Sequence, residues 1–300
     1  MNWTSTAILS AATYGIVSII DSHLLSKRMP SLQSFLLPVG MILLVFGLIV
    51  LYFFPIPEGT AALPIWIAVA AGITRCAGII ITLYNLRREE VSRVIPITYT
   101  YPVFVAIIAI PLLGESLGYL QWLAIIIVVA GAIIVSAEKS PSGTTGSLNK
   151  PFLLLFVASL LLAVADILAK YALAYISFWN VYSLAIISLS AIFCIISTRP
   201  GTIKQLRAMK QKNSAMALLV FDEILALLGA TLQFWAMARG PVSLVSTITG
   251  TRPVFVAIYS IILSFVLPGF LIKRGTSEVM ALRLTAIVMI VGGVSIIYLT

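Results

Sequence analysis

The sequence predicts an all-α integral membrane protein with ten transmembrane helices, arranged as two inverted-topology five-helix repeats. The first observation is composition: of 300 residues, 61% are hydrophobic and only 10% are charged. A soluble chain of this size needs far more charge on its surface. The second observation is spacing, because the apolar residues fall in blocks of the length that crosses a bilayer, about 20 helical residues.

The third observation is an internal repeat. Residues 101–107 read YPVFVAI and residues 252–258 read RPVFVAI, 151 positions later. Over residues 91–107, 12 of 17 positions are identical to their partners in 242–258. The chain is therefore predicted to consist of two related halves.

The predicted spans divide evenly between the halves. They cover residues 4–26, 32–54, 64–86, 91–113, 119–137, 151–176, 178–198, 214–238, 243–267 and 281–299. The first repeat is residues 1–137, a linker rich in Ser, Gly and Pro is 138–150, and the second repeat is 151–300. Because five is an odd number, the second half enters the membrane in the opposite sense. This arrangement is typical of transporters, whose site lies near the midplane between the repeats.

The basic residues predict the orientation. The loops after spans 1, 3, 5, 7 and 9 hold 15 of the Lys and Arg residues, whereas the opposite loops and both termini hold only Arg239. The positive-inside rule then puts the first set in the cytoplasm and both termini outside a plasma membrane. The net charge of +9 is explained by this insertion pattern, so no nucleic-acid partner is predicted. The start of the chain is interpreted as the first span and not as a cleaved signal.

Ionised side chains inside spans are costly, so each is predicted to be functional or paired. Arg75 lies at the centre of span 3 and Arg252 close to the centre of span 9, and either binds a ligand or pairs with an acid. Asp222 and Glu223 are adjacent in span 8 and cannot share one partner, which favours function. Two further acids lie in spans 6 and 1, Asp166 and Asp21.

Asp166 and Lys170 are four residues apart in span 6, which predicts an ion pair on one helical face. Asp21 and His23 lie near the inner end of span 1, where an interfacial position is favoured over an inner proton relay. The two cysteines, Cys76 and Cys194, lie inside apolar blocks and predict neither a disulfide nor a metal site.

Pro102 and Pro253 fall in mid-span, where each is predicted to act as a hinge. A polar patch related by the repeat is expected beside them, formed by Thr98, Thr100, Thr249 and Thr251. The alternative is a packing kink whose hydroxyls bond back to their own helix. Tyr99 and Tyr101 lie too deep for an interfacial aromatic belt and are candidate lining residues.

The chain has no phosphate-binding loop, no cluster with metal-ligand spacing and no nucleophile elbow. ATP hydrolysis, a metal or other cofactor and an enzymatic reaction are therefore not predicted. Transport by such a chain must be driven by gradients.

The chain resembles the drug/metabolite transporter superfamily, specifically its EamA-like ten-helix family. The resemblance rests on the ten spans in two repeats, the mid-span proline of span 4 and Leu113-Gly114-Glu115 before span 5. It implies alternating access by secondary carriers of small metabolites, often exporters of amino acids. Pro102, Pro253 and Glu115 match its pattern, but residues 267–270 lack the Leu-Gly-Glu signature. Many members keep both termini in the cytoplasm, and the charge distribution here predicts the reverse.

These features predict a gradient-driven exporter of a small polar metabolite such as an amino acid or organic acid, with H⁺ as a possible coupling ion. Paired guanidinium groups suit a carboxylate or phosphate, and a buried carboxyl suits an amine or a coupling proton. A carrier or flippase of a lipophilic or lipid-linked substrate, and a non-transporting scaffold or sensor, are the alternatives. The substrate-binding candidates are Arg75, Arg252, Asp222, Glu223, Tyr99, Tyr101, Thr98 and Thr249. The coupling candidates are Glu223, Asp222 and Asp166.

Overall fold

A computed structural model of the chain describes residues 2–86, 98, 100–136, 150–209, 211–266 and 277–299. Within these ranges the regular structure is entirely helical. The helices are α1 (Trp3–His23), which continues into a π-helical turn (Leu24–Arg28), α2 (Leu32–Phe53), α3 (Ala62–Leu86), α4 (Tyr101–Leu113), α5 (Tyr119–Ser136), α6 (Lys150–Leu173), α7 (Phe178–Ser197), α8 (Pro200–Arg207), α9 (Lys212–Arg239), α10 (Val242–Thr249), α11 (Arg252–Val266) and α12 (Ser277–Leu299).

The described helices have the length and composition of a membrane protein. Seven helical stretches are long and apolar enough to cross a bilayer, given a rise of about 1.5 Å per residue. Three shorter apolar helices accompany them, at Tyr101–Leu113, Tyr119–Ile134 and Leu284–Leu299. The predicted all-helical membrane fold is thus confirmed, whereas the ten-span inverted repeat stays a prediction.

Four predicted segments differ from the structure or lie outside it. Predicted span 9 is two helices, α10 and α11, separated by a turn at Gly250 and Thr251. The predicted loop 199–212 contains the short helix α8, because Pro200 at its first position fixes φ in the helical range. Residues 91–97 of span 4 and residues 138–149 of the linker lie outside the described residues.

The helix contacts follow the internal repeat. Counterparts in the two halves are α1 and α6, α2 and α7, α3 and α9, α4 and α10–α11, and α5 and α12. The most extensive contacts are α3 with α6, α2 with α7, α1 with α9, and α5 with α12. Exchanging each helix with its counterpart turns the α3–α6 contact into the α9–α1 contact and leaves the other two pairs unchanged. The repeat therefore relates these four contacts to one another, whereas the α3–α7 contact is much more extensive than its counterpart, α2–α9.

Glycines bring α5 and α12 into close contact. A Cβ atom on Gly131 would lie 2.7 Å from Cγ1 of Ile290, and one on Gly293 would lie 2.6 Å from Cγ2 of Val128. Small residues at such crossings let membrane helices approach closely, which is how they gain packing energy without a hydrophobic driving force. The structure therefore joins the two halves through α5 and α12.

Candidate functional site

The two copies of the repeated segment start their helices in the same way. A turn hydrogen bond joins Val103 N to Thr100 O at 3.1 Å in the first copy, and Val254 N to Thr251 O at 2.9 Å in the second. Each proline follows in the first turn of α4 or α11, where its missing N–H has no helical partner to lose. Each proline therefore lies at a helix start and not inside a helix, and its role as a hinge stays a prediction.

The two helix starts meet inside the molecule. A Cβ atom on Gly250 would lie 3.2 Å from Cγ of Pro102. The Tyr101 hydroxyl lies 3.1 Å from Oγ1 of Thr249 and donates to the carbonyl of Ser246 at 3.2 Å. Thr249 is fully buried and Tyr101 is 9% exposed. Tyr101 and Thr249, both predicted lining residues, are therefore in contact, while Tyr99 lies outside the described residues and Thr98 is half-buried.

Asp166 of α6 connects this meeting point to α3. It is 1% exposed, and one of its carboxylate oxygens forms an ion pair with Arg75. The other oxygen accepts a hydrogen bond from the Ser246 hydroxyl at 2.8 Å. The Arg75 guanidinium also lies 5.7 Å from the centre of the Phe234 ring. Both oxygens of Asp166 are therefore satisfied, and the buried charge of Arg75 is neutralised by a partner.

The predicted ion pair between Asp166 and Lys170 is wrong. The Lys170 ammonium donates instead to the carbonyls of Met237 at 2.6 Å and Gly240 at 2.9 Å. These carbonyls end α9, where the helix dipole favours a cation. Each member of the predicted pair finds a stronger partner on a neighbouring helix, which spacing along one helix does not reveal.

Arg252 begins α11 beside the meeting point and has no such partner. Its guanidinium lies 3.9 Å from the centre of the Tyr14 ring, and one terminal nitrogen approaches Oε1 of Gln233 at 3.5 Å, at the limit of a hydrogen bond. Its Nε atom is buried and has no hydrogen-bond partner. Among the described acidic side chains, none forms an ion pair with Arg252.

Tyr14 and Gln233, which the sequence analysis did not single out, hold Arg252 in place. A Cβ atom on Gly229 of α9 would lie 3.1 Å from the Tyr14 ring, so the ring packs between α9 and the guanidinium. Gln233 is 2% exposed. The sequence signal for these two residues was a polar side chain in an apolar helix. Only the fold shows that both lie beside Arg252.

The acids of α9 meet α1 and not an arginine. Asp222 is fully buried and Glu223 is 5% exposed. The antiparallel register that sets Tyr14 of α1 against Gly229 of α9 places Asp21 opposite Asp222, next to Glu223. Both oxygens of Asp222 are buried and have no hydrogen-bond donor in the described part of the chain. Asp21 thus lies opposite Asp222 at the α1–α9 contact, and its interfacial position stays a prediction.

Glu115, matched by the resemblance, caps α10. Its carboxylate accepts hydrogen bonds from Val242 N at 2.5 Å, from Ser243 N at 3.2 Å and from the Ser243 hydroxyl at 2.6 Å. A carboxylate suits the first turn of a helix, where N–H groups lack helical acceptors. Gly114 before it has φ of 67°, a conformation that glycine adopts without strain. The Leu113-Gly114-Glu115 segment thus fixes α10 and, through it, Thr249.

Comparison with known proteins agrees with this architecture. A crystal structure superposes with a TM-score of 0.70, covering 99% of this chain and 95% of that chain at 16% identity. This likeness shows a shared fold. No curated protein matches the chain.

The family model of the EamA-like transporter family matches residues 1–137 and 149–268. Together with the apolar helices, this match identifies a multi-pass integral membrane protein. The chain belongs to the EamA-like transporter family, within the drug/metabolite transporters, and is a membrane transporter of that type.

Proposed function

We propose that the chain is a gradient-driven carrier of a small polar metabolite with a carboxylate or phosphate group, such as an amino acid or organic acid, and that Arg252 binds this group. The observation that supports this most is the unpaired state of Arg252. A charged side chain at the centre of a membrane helix costs about 2.5–3.5 kcal/mol on insertion scales. Arg75 offsets that cost with Asp166, whereas Arg252 has no described acidic partner.

The contacts of Arg252 leave it suited to an anion. Tyr14 covers one face of the guanidinium, and Gln233 weakly engages one terminal nitrogen. The unpartnered Nε and the neighbouring terminal nitrogen form an edge with two parallel N–H groups. That edge matches the two oxygens of a carboxylate or phosphate.

The architecture of the proposal is two five-helix repeats of inverted topology that work by alternating access. Its support is that the repeat relates the four most extensive helix contacts to one another, and that the two repeated helix starts are in contact. Export is the direction that the resemblance favours, with both termini outside the plasma membrane as the basic loops predict. A non-transporting scaffold is expected to pair every buried charge. The unpartnered polar atoms of Arg252 and Asp222 argue against this alternative.

The test is ligand-induced stabilisation of the purified protein, because a ligand that binds only the folded state raises its unfolding free energy. At a ligand concentration 100 times the Kd the gain is about 2.7 kcal/mol. Amino acids, dicarboxylates and phosphate esters are each compared with the uncharged amide or alcohol analogue. A ligand found in this way is then loaded into proteoliposomes to measure its efflux.

The chain offers a matched control for this test. Arg239 lies 3.9 Å from the Trp235 ring centre, the same distance as Arg252 from Tyr14, but it is exposed. Arg252→Met is expected to abolish stabilisation and efflux, and Arg239→Met to retain both. Equal stabilisation by charged and uncharged analogues, or unchanged efflux in Arg252→Met, would contradict the assignment.

A further inference from the structure

Three carboxyl groups meet at the contact between α1 and α9. Asp222 of α9 is fully buried and Asp21 of α1 is half-buried. The antiparallel register that sets Tyr14 against Gly229 places Asp21, seven residues further along α1, opposite Asp222, seven residues earlier along α9. Glu223, 5% exposed, lies within electrostatic range of Asp21. Like charges gathered in a membrane interior repel one another strongly, because little water screens them.

The contact lacks a hydrogen-bond donor. Both oxygens of Asp222 are buried with no partner among the described residues. Two ionised carboxylates can only accept, so neither can satisfy the other. If one of them holds a proton, it becomes a donor, and the two side chains share a hydrogen bond. A single proton therefore removes the repulsion within the pair and gives one of the two Asp222 oxygens a hydrogen-bond partner.

Among the side chains that the structure describes, the helices packed against α9 bring no cation to Asp222. They are α1, α2, α6, α7, α10 and the π-helical turn, and α2, α7 and α10 carry no charged residue. The ionised groups of the others have their own partners or act elsewhere. In α6, Asp166 pairs with Arg75 and Lys170 binds the carbonyls that end α9. In the π-helical turn, Lys27 and Arg28 act on His23 of α1, and Arg28 also bonds to Gln211.

The contact that the repeat relates to α1–α9 contains a cation. The α3–α6 contact corresponds to α9–α1 and joins a base to an acid, Arg75 to Asp166. The α1–α9 contact joins acid to acid. We propose that Asp21 and Asp222 bind one proton between them, as a carboxyl–carboxylate pair that bridges α1 and α9.

The position of this proton site connects it to Arg252. Tyr14 precedes Asp21 by seven residues, two turns along one face of α1, or about 10 Å. Gln233 follows Asp222 by eleven residues, three turns along one face of α9. The same two helices therefore hold the proton pair and position Arg252. This coupling role rests on the proposed function, whereas proton binding itself does not.

The test uses infrared spectroscopy of the full chain in phosphatidylcholine vesicles, titrated from about pH 5 to pH 9 without any substrate. A protonated carboxyl has a carbonyl band that a carboxylate lacks. We expect one such band in the wild type, lost as the pH rises. Glu58→Gln, at an exposed loop acid, keeps this band. Asp222→Asn and Asp21→Asn each lose it, because asparagine supplies the donor and leaves no shared proton.

Thermal unfolding provides the second readout. Ionisation of the pair leaves Asp222 unsatisfied, so the wild-type Tm is expected to fall as the pH rises through the loss of the band. Asp222→Asn, of the same size, removes this pH-dependent fall. Asp21→Asn at the half-buried position does the same, which keeps the test valid if one variant is poorly folded.

Several results would overturn the proposal. They are a wild type with no titrating band, a band that survives both asparagine variants, and a band lost only in Glu223→Gln. A rise in wild-type Tm with Na⁺ at constant pH that Asp222→Asn abolishes would assign a metal cation instead. Arg252→Met is expected to keep the band while losing anion binding, so this inference and the proposed function can each fail alone.

Discussion

The two copies of the repeated segment, residues 101–107 and 252–258, differ at one side chain. Both begin a helix with the same turn hydrogen bond, at 3.1 Å in the first copy and 2.9 Å in the second, followed by a proline. At the equivalent position the first copy has Tyr101 and the second has Arg252. The Tyr101 hydroxyl has partners at 3.1 and 3.2 Å, whereas Nε of Arg252 has none in the described chain.

This difference shows how a duplicated element acquires two roles. Both copies have a turn followed by a proline in the first turn of the helix, because this arrangement begins a helix inside the membrane without losing a hydrogen bond. A neutral hydroxyl at the shared position is satisfied by the protein alone. A guanidinium there carries a charge that the surrounding side chains leave open, which makes the second copy the ligand-binding one in the proposal.

The largest expected effect comes from removing the acidic partner of Arg75, which leaves Arg75 unpaired as Arg252 is. Asp166→Ala removes the partner of Arg75 and the acceptor of Ser246. Breaking a buried pair in this way costs about 3–5 kcal/mol, because one charge is left uncompensated. Denaturant unfolding of the purified protein measures the loss.

Arg75→Met with Asp166→Leu removes both charges together and is the control for this loss. The double variant is expected to be more stable than Asp166→Ala, since a buried pair replaced by apolar residues is often tolerated. A loss below about 1 kcal/mol in Asp166→Ala would show that water or another group satisfies Arg75.

A smaller effect is expected at the helix that precedes the second copy. Glu115→Ala removes three hydrogen bonds from the start of α10, and loss of such a cap costs about 0.5–2 kcal/mol. Glu115→Gln keeps one acceptor oxygen and is expected to lose less. Denaturant midpoints that rank wild type, Gln and Ala in this order check the assignment, and equal midpoints would contradict it.

The smallest effect tests the shared position directly. Tyr101→Phe removes the hydroxyl that bonds to Thr249 and Ser246, at a cost of about 0.5–1.5 kcal/mol. Arg252→Met removes an uncompensated charge and is expected to leave stability unchanged or higher. Denaturant unfolding of the two variants under one condition compares their losses of stability directly. A greater loss of stability in Arg252→Met than in Tyr101→Phe would reverse it.

The sequence predicted the residues of the site better than their partners. Buried Arg75, Asp166 and Arg252 were identified because ionised groups are rare in membrane helices. The partner predicted for Asp166 was wrong, since spacing along one helix says nothing of a neighbouring helix. Tyr14 and Gln233 were missed because an aromatic ring and an amide in apolar helices usually serve packing.

The sequence by itself determined the membrane class, the duplication and the family, since hydropathy and self-similarity depend only on the order of residues. The tertiary structure decided that the two copies touch, that Arg75 is paired while Arg252 is not, and that Asp21 lies opposite Asp222. Charge pairing depends on distances of a few ångströms between separate helices. Only helix packing sets those distances.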